Sequence, residues 1–151
     1  MSKSKTIVYT SGTFDMLHIN HLNLLNYARA LGDILIVGVN TDKLVAEYKS
    51  TPIVPFSERI ALVKALEVTQ VVIPQHSLNH TDKISKLNFD IFVVGDDWFG
   101  KYDYLVDLGI KVFYFPYGKG ASSSSIKDKV FDQYKKLIKK SETHFPDDIE
   151  T

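Results

Sequence analysis

The stretch GTFDMLHINH, residues 12–21, places two histidines three positions apart, directly after the first apolar run of the chain. On a helix, residues three apart lie on neighbouring turns of roughly one face, so His18 and His21 can address a single object. Gly12 permits an unusual turn at the head of the loop. A helix beginning between His18 and Asn20 leaves backbone N–H groups unpaired and a positive dipole end exposed. Such an end binds anions before any side chain is added, and two imidazoles supply further donors to the same anion. The plainer alternative has one imidazole capping or packing and the other in solvent. A metal fits less well, because two histidines without a third ligand leave a zinc site incomplete. His76 and His80, spaced i,i+4 after Pro74, are a weaker pair still.

These groups need a frame. Short, β-branched apolar runs recur at 6–10 (TIVYT), 33–39 (DILIVGV), 70–74 (QVVIP), 90–95 (DIFVVG) and 110–115 (IKVFYF). They are continuous rather than alternating, the pattern of strands covered on both faces. Helical patterns lie between them: Leu22, Leu24, Leu25, Tyr27 and Ala28, then Ile60, Leu62, Val63 and Leu66, then Ile84 with Leu87. Strand and helix in alternation predict an α/β architecture, a Rossmann-like, doubly wound parallel sheet of five strands flanked by helices. Ile126, Val130, Tyr134, Leu137 and Ile138 predict a C-terminal helix packed on that sheet with its lysines outward. The expected organisation is one domain over 1–140 and a polar tail over 141–151. In open sheets of this kind ligands sit beyond the carboxyl ends of the strands, which singles out loops 11–21, 40–58, 95–104 and 116–125.

The totals narrow the ligand. A chain of 151 residues, 44% hydrophobic and 12% aromatic, has the composition of one globular domain. Eighteen basic residues balance eighteen acidic ones, so there is no bulk positive field for a nucleic acid or an anionic membrane. A small anion fits this balance better. No cysteine is present, which removes thiolate metal sites, disulfides and cysteine nucleophiles. No apolar stretch approaches the roughly 20 residues that span a bilayer, and the N-terminus lacks a signal-peptide core, so a cytoplasmic protein is expected. Neither GxxxxGK[ST] nor GxGxxG follows the first strand, so any phosphate is held another way.

The remaining loops supply candidates. In NTDKLVAEYKSTPIVPFSER, Asp42 is placed to cap the next helix or to meet a ligand, and Arg59 to bind phosphate as a fixed fork or to form a surface ion pair. Loop 95–104 offers Gly95, Asp96, Asp97, Trp98, Lys101 and Asp103 as an acidic helix start with an indole, or as a binding surface. Loop 116–125, PYGKGASSSSIK, ends in serines that suit a helix start and an anion cradle.

GTFDMLHINH resembles the GTFDxxHxGH signature of the nucleotidyltransferase superfamily. ALGDILIVGVNTD (30–42), the proline-containing segment ending in Arg59, VVGDDWFGKYD (93–103) and the serine run agree in order and spacing with its cytidylyltransferase branch, the small bacterial glycerol-3-phosphate enzymes in particular. The likeness spans about residues 5–130.

This resemblance implies transfer of CMP from CTP to a small alcohol phosphate, most simply glycerol 3-phosphate, with magnesium accompanying CTP, by a homodimer feeding a cell-surface polymer pathway. It implies catalytic roles for His18, His21 and Lys49. Nucleotide contacts fall to Thr13, Phe14, Gly95, Asp97, Trp98, Lys119, Gly120, Ser122, Ser123 and Ser124. Arg59, Lys101 and Asp15 fall on the acceptor side, although Asp15 more simply fixes the loop and meets a metal only indirectly. Three departures stand out. Asn20 replaces the glycine between the histidines, a place where unusual backbone angles are expected. Tyr117 replaces the arginine of the family's RTEG motif, with Lys119 the expected substitute cation. Tyr48, Ser50 and Thr51 stand where lysines are usual, and KSTPIVPFSER leans towards choline- and ethanolamine-phosphate enzymes. Alternative readings are therefore such a choline- or ethanolamine-phosphate enzyme, a non-catalytic nucleotide-binding protein, and an ATP-dependent adenylyltransferase, the last disfavoured by GDDWFGK.

Overall fold

A computed structural model describes residues 5–117 and 122–144. The strands are β1 (Ile7–Gly12), β2 (Ile34–Asn40), β3 (Val71–Gln75), β4 (Ile91–Gly95) and β5 (Lys111–Phe115). The helices are α1 (Ile19–Ala30), α2 (Asp42–Ala46), α3 (Phe56–Lys64), α4 (Thr81–Leu87), α5 (Tyr104–Asp107) and α6 (Ser123–His144). The strands form one sheet in the order β3-β2-β1-β4-β5, with every pairing parallel. This is the expected doubly wound sheet. The chain reverses direction between β1 and β4, which opens a crevice at their carboxyl ends.

Both faces are covered because successive strand residues point to opposite sides. Val8, Leu35, Val37 and Val93 pack with Leu24, Leu25, Ala28 and Val63 on one face. Tyr9, Ile36, Phe92 and Val94 pack with Phe89, Tyr102, Leu105 and Ile110 on the other. The continuous apolar runs follow from this double burial.

Two expectations fail. α6 does not lay its apolar stripe on the sheet: Val130, Phe131, Tyr134 and Leu137 are 59–63% exposed. Its apolar residues face outward as a ridge, and the helix continues to His144, past the expected boundary at 140. Asn20 is an ordinary, buried residue of α1, and the left-handed backbone falls instead on Phe14 (φ 55°) and Met16 (φ 49°). Among the described residues no helix is long and apolar enough to cross a membrane.

Arg59 ties the crevice loops together. It is 1% exposed, and its guanidinium donates to the carbonyls of Val54 (2.9 Å), Thr13 (2.6 Å) and Asn40 (2.8 Å) and to Asp42 Oδ1 (2.7 Å). The hydrogen bond from Arg59 holds the Asp42 carboxyl below its ordinary range. Asp42 Oδ2 also accepts from Phe56 N at 3.1 Å, so it closes the start of α3 while Thr41 caps α2. Arg59, expected on the acceptor side, is here a buried clasp that holds three carbonyls and the Asp42 carboxylate. Asp15 works alike: its two oxygens accept from Ile53 N and Val54 N, each at 2.9 Å.

His80 is fully buried, stacked on Tyr102 at 4.9 Å and edge-on to Tyr9 and Phe92. Lys83 Nζ lies 3.0 Å from its Nδ1, so Lys83 donates there and the ring's proton sits on Nε2, which has no hydrogen-bond partner. Burial, helped by the Lys83 charge, pushes its pKa down to about 3.

Two predictions follow from these buried groups. Arg59→Lys, which keeps the charge and loses the fork, lowers stability by about 3 kcal/mol in urea unfolding. An unchanged midpoint contradicts the clasp. The unfolded chain binds a proton on His80 below about pH 6.5 and the folded chain only near pH 3, so stability is full above 6.5 and falls as the pH drops through that window. His80→Phe flattens this acid loss in thermal melts. An undiminished slope refutes the assignment.

Candidate active site

A cavity of about 500 Å³ opens at the switch point of the sheet. Its walls are Gly12–Asp15, His18 and His21 beside β1, Asn40, Tyr48 and Lys49 beyond β2, and Gln75 and Leu78 beyond β3. Gly95, Asp97, Trp98 and Tyr102 beyond β4, Tyr117 after β5, and Ser122–Ser125 at the start of α6 complete it. Two helix N-termini, of α1 and α6, therefore face one space, and both dipoles favour an anion there.

The two histidines cap α1 reciprocally. His18 Nδ1 accepts from Asn20 N at 3.2 Å, and His21 Nδ1 accepts from His18 N at 3.1 Å. This is a capping box in which imidazoles replace the usual hydroxyl and carboxylate. The spacing of three in HINH is what that geometry requires. The rings stack with centroids 3.7 Å apart, and Phe14 packs against His21. Burial lowers the pKa of His18, and burial with the adjacent imidazole pushes His21 down to about 3. Both rings are thus neutral near pH 7. With each Nδ1 accepting, the proton resides on Nε2, so each ring retains an N–H for an anion.

Lys49 joins this wall. Desolvation and the Lys127 charge lower its pKa, while Asp97 and Asp15 pull it upward. In the serine run, Ser122 and Ser125 cap α6 through two backbone-to-hydroxyl bonds of 2.9 and 3.0 Å. Ser123 Oγ donates to the Asp15 carbonyl, and Ser124 is exposed. Gly95 has a steric role: a Cβ there would stand 2.1 Å from the Tyr117 ring. The ring lies against the end of β4, and burial keeps its hydroxyl protonated. Loss of solvent raises the Asp97 pKa.

The expected residues Thr13, Phe14, Asp15, His18, His21, Lys49, Gly95, Asp97, Trp98 and Ser122–Ser124 share this cavity. Arg59 lies behind it, and Lys101 lines a shallower neighbouring hollow with Asn79, Thr81 and Tyr104. Lys119 and Gly120 fall outside the described residues. Asn40, Gln75 and Tyr102 were missed. The first two carry a signal readable in sequence, a polar residue closing an apolar strand at its carboxyl end.

Comparison with known proteins agrees with this geometry. The family model described as cytidylyltransferase-like matches residues 9–129. The glycerol-3-phosphate cytidylyltransferase of Bacillus subtilis (strain 168) is 36% identical over 124 residues, 82% of this chain and 95% of that one. That of Staphylococcus aureus (strain NCTC 8325 / PS 47) is 33% identical over 125 residues, 82% of this chain and 94% of that one. Among solved structures, the lipopolysaccharide core biosynthesis protein from Thermoplasma volcanium GSS1 aligns with a TM-score of 0.66 at 28% identity, covering 78% of this chain and 100% of that one. With its sheet order, its paired imidazoles and a family match over most of its length, the chain belongs to the cytidylyltransferase-like family.

Proposed function

We propose that the protein transfers CMP from CTP to a small alcohol phosphate, glycerol 3-phosphate first among them, giving a CDP-alcohol and pyrophosphate. The observation that carries this reading is the pair of imidazoles on one helix N-terminus, each accepting a backbone N–H at Nδ1 and leaving Nε2 for a ligand, facing a second helix N-terminus across one cavity. An oxygen of the acceptor phosphate attacks the α-phosphorus of CTP. The bond from that phosphorus to the bridging oxygen breaks, and pyrophosphate leaves with the electron pair. A phosphomonoester has its second pKa near ~6, so the attacking group is largely dianionic at neutral pH and needs no general base. Catalysis then rests on in-line positioning and on stabilising charge as it builds.

His18 and His21 donate to the α-phosphate and the departing pyrophosphate without giving up a proton. Lys49 adds positive charge beside them, and the start of α6 faces the same charge. Gly95, Asp97 and Trp98 take the nucleoside at the β4 end, and Lys119 with Gly120 belong to the same nucleotide side. Magnesium enters only as the counter-ion that CTP carries. The Asp15 oxygens are taken by backbone, and among the described residues no three His, Cys, Asp or Glu side chains gather around a metal position. A cytoplasmic setting, where CTP is available, completes the reading.

A homodimer is part of the proposal, and the α6 ridge is the face a second copy would cover. Val130, Tyr134 and Leu137 follow the four-three spacing of a helix–helix seam, begin where the family match ends and are exposed in the single chain. Light scattering is expected to give twice the mass of one chain, and Tyr134→Glu to halve it. A parent protein of single-chain mass contradicts the pairing.

Pyrophosphate release tests the transfer. It is expected to require CTP and an alcohol phosphate together, with ATP unable to replace CTP. His18→Ala and His21→Ala each lower kcat by about 100-fold, while stability falls by only about 1 kcal/mol for the lost cap. Variants that turn over like the parent, or no release with glycerol, choline, ethanolamine or polyol phosphates, contradict the proposal.

A further inference from the structure

The sheet order divides the cavity. Gly95 and Tyr117 stand over the β4–β5 half, Asn40 and Gln75 over the β2–β3 half, and the imidazole pair lies between them at β1. A phosphoryl group passing between two substrates belongs in the middle. With the nucleoside on the β4 side, as proposed above, the acceptor lies over β2 and β3.

That half is floored by a chain of neutral polar groups. The Tyr9 hydroxyl donates to Gln75 Oε1. Gln75 Nε2 donates to Asn40 Oδ1 at 2.6 Å. Asn40 Nδ2 donates to the Tyr48 hydroxyl at 3.0 Å and to Thr13 Oγ1 at 3.4 Å, and those two hydroxyls lie 3.2 Å apart. Tyr9 and Gln75 are fully buried and Asn40 is 3% exposed.

The direction of this chain is determined by its buried end. Burial raises the Tyr9 pKa, so the phenol keeps its proton, and Gln75 Oε1 is the acceptor within reach. This orients the Gln75 amide, which orients the Asn40 amide, which commits both Nδ2 hydrogens to the two hydroxyl oxygens. One hydroxyl then donates to the other. Whichever way that shared proton points, the second hydroxyl proton has no partner inside the chain. If Tyr48 donates, Thr13 accepts twice and its O–H remains; if Thr13 donates, the O–H of Tyr48 remains. The two hydroxyls therefore present one O–H without an acceptor, beside a single lone pair on the hydroxyl that donates.

We propose that the Tyr9–Gln75–Asn40 relay is a specificity device that selects an acceptor bearing oxygen lone pairs, a hydroxylated alcohol phosphate, over one bearing an ammonium group. Thr13 and Tyr48 touch the acceptor, and Asn40 and Gln75 are positioning residues. A quaternary ammonium has no lone pair for the offered proton, and a primary ammonium only donates. Either leaves the hydroxyl unsatisfied in a partly buried site, a mismatch that sites built to hydrogen-bond reject strongly. The inference rests on the transfer reading for its placement of the acceptor.

Asn40→Asp reverses the last link while keeping its shape. A carboxylate accepts from Gln75 and from both hydroxyls, so lone pairs instead of a proton face the acceptor. The double variant Thr13→Val with Tyr48→Phe removes the donor without adding charge. The quantity to measure is the ratio of kcat/KM for glycerol 3-phosphate to that for ethanolamine phosphate at saturating CTP. The aspartate charge also attracts the ammonium of ethanolamine phosphate, so the double variant, which adds no charge, is the deciding arm. The parent is expected to prefer glycerol 3-phosphate. Both variants are expected to lower the ratio at least about 10-fold, mainly through the KM of the acceptor. A ratio constant within about twofold in the double variant, whatever Asn40→Asp does, a parent that prefers the ammonium acceptor, or an effect confined to CTP overturns the relay. Calorimetric titration with the same two acceptors reads the same preference without turnover. Preserved selectivity in binding without pyrophosphate release would strike the transfer reading and leave the relay standing, whereas turnover with an unmoved ratio does the opposite.

Discussion

Reciprocal capping of α1 by two imidazoles is the interaction on which the rest of the site depends. It satisfies two orphan N–H groups at a helix start, and in doing so it fixes the tautomer of each ring. A conventional serine–glutamate capping box gives the helix the same closure and leaves nothing for a ligand. Here each capping side chain has a second nitrogen, and the cap that stabilises the helix also turns two N–H donors into the cavity. Burial lowers the pKa of both rings, helped at His21 by the neighbouring imidazole, and keeps them neutral. They can therefore stabilise a negative transition state by hydrogen bonding without a proton changing hands.

Strong charges around the crevice are used to hold backbone. Arg59 binds three carbonyls and Asp42, and Asp15 binds two backbone amides. These contacts tie the loops after β1 and β2 to the segment before α3 and hold Phe14 and Met16 in left-handed backbone that would otherwise be costly. The cavity between them is lined instead by groups whose charge is weakened or absent: neutral imidazoles, a lysine with a lowered pKa and a relay of amides and hydroxyls. Rigidity comes from the spent charges, and recognition from groups whose hydrogen bonds remain to be completed.

Most of the fold was legible in sequence, for a physical reason. Strands buried on both faces must be continuously apolar, so five runs marked five strands within a residue or two, and the loops beyond their carboxyl ends marked the crevice. The histidine pair was legible because its spacing matches both a helix turn and a capping box. The clasp made by Arg59 was not legible, because a guanidinium that binds phosphate and one that binds carbonyls and a carboxylate look alike in sequence, and burial is what separates them. The stripe on α6 was correctly seen as apolar, but periodicity gives the face and not what it packs against, and in the single chain it lies exposed. Asn40 and Gln75 escaped notice because amides carry no charge, and their role depends on the order in which the fold links them.

The most direct test of the central claim is the protonation state and tautomer of His18 and His21, read from the 15N shifts and two-bond couplings of the labelled imidazoles across a pH titration. Two neutral rings are expected at pH 7, each protonated on Nε2 with an unprotonated Nδ1, with a His21 midpoint near 3 and displacement of both Nε2–H signals on addition of CTP. An imidazolium at pH 7, a proton on either Nδ1, or Nε2–H signals indifferent to CTP would contradict that claim.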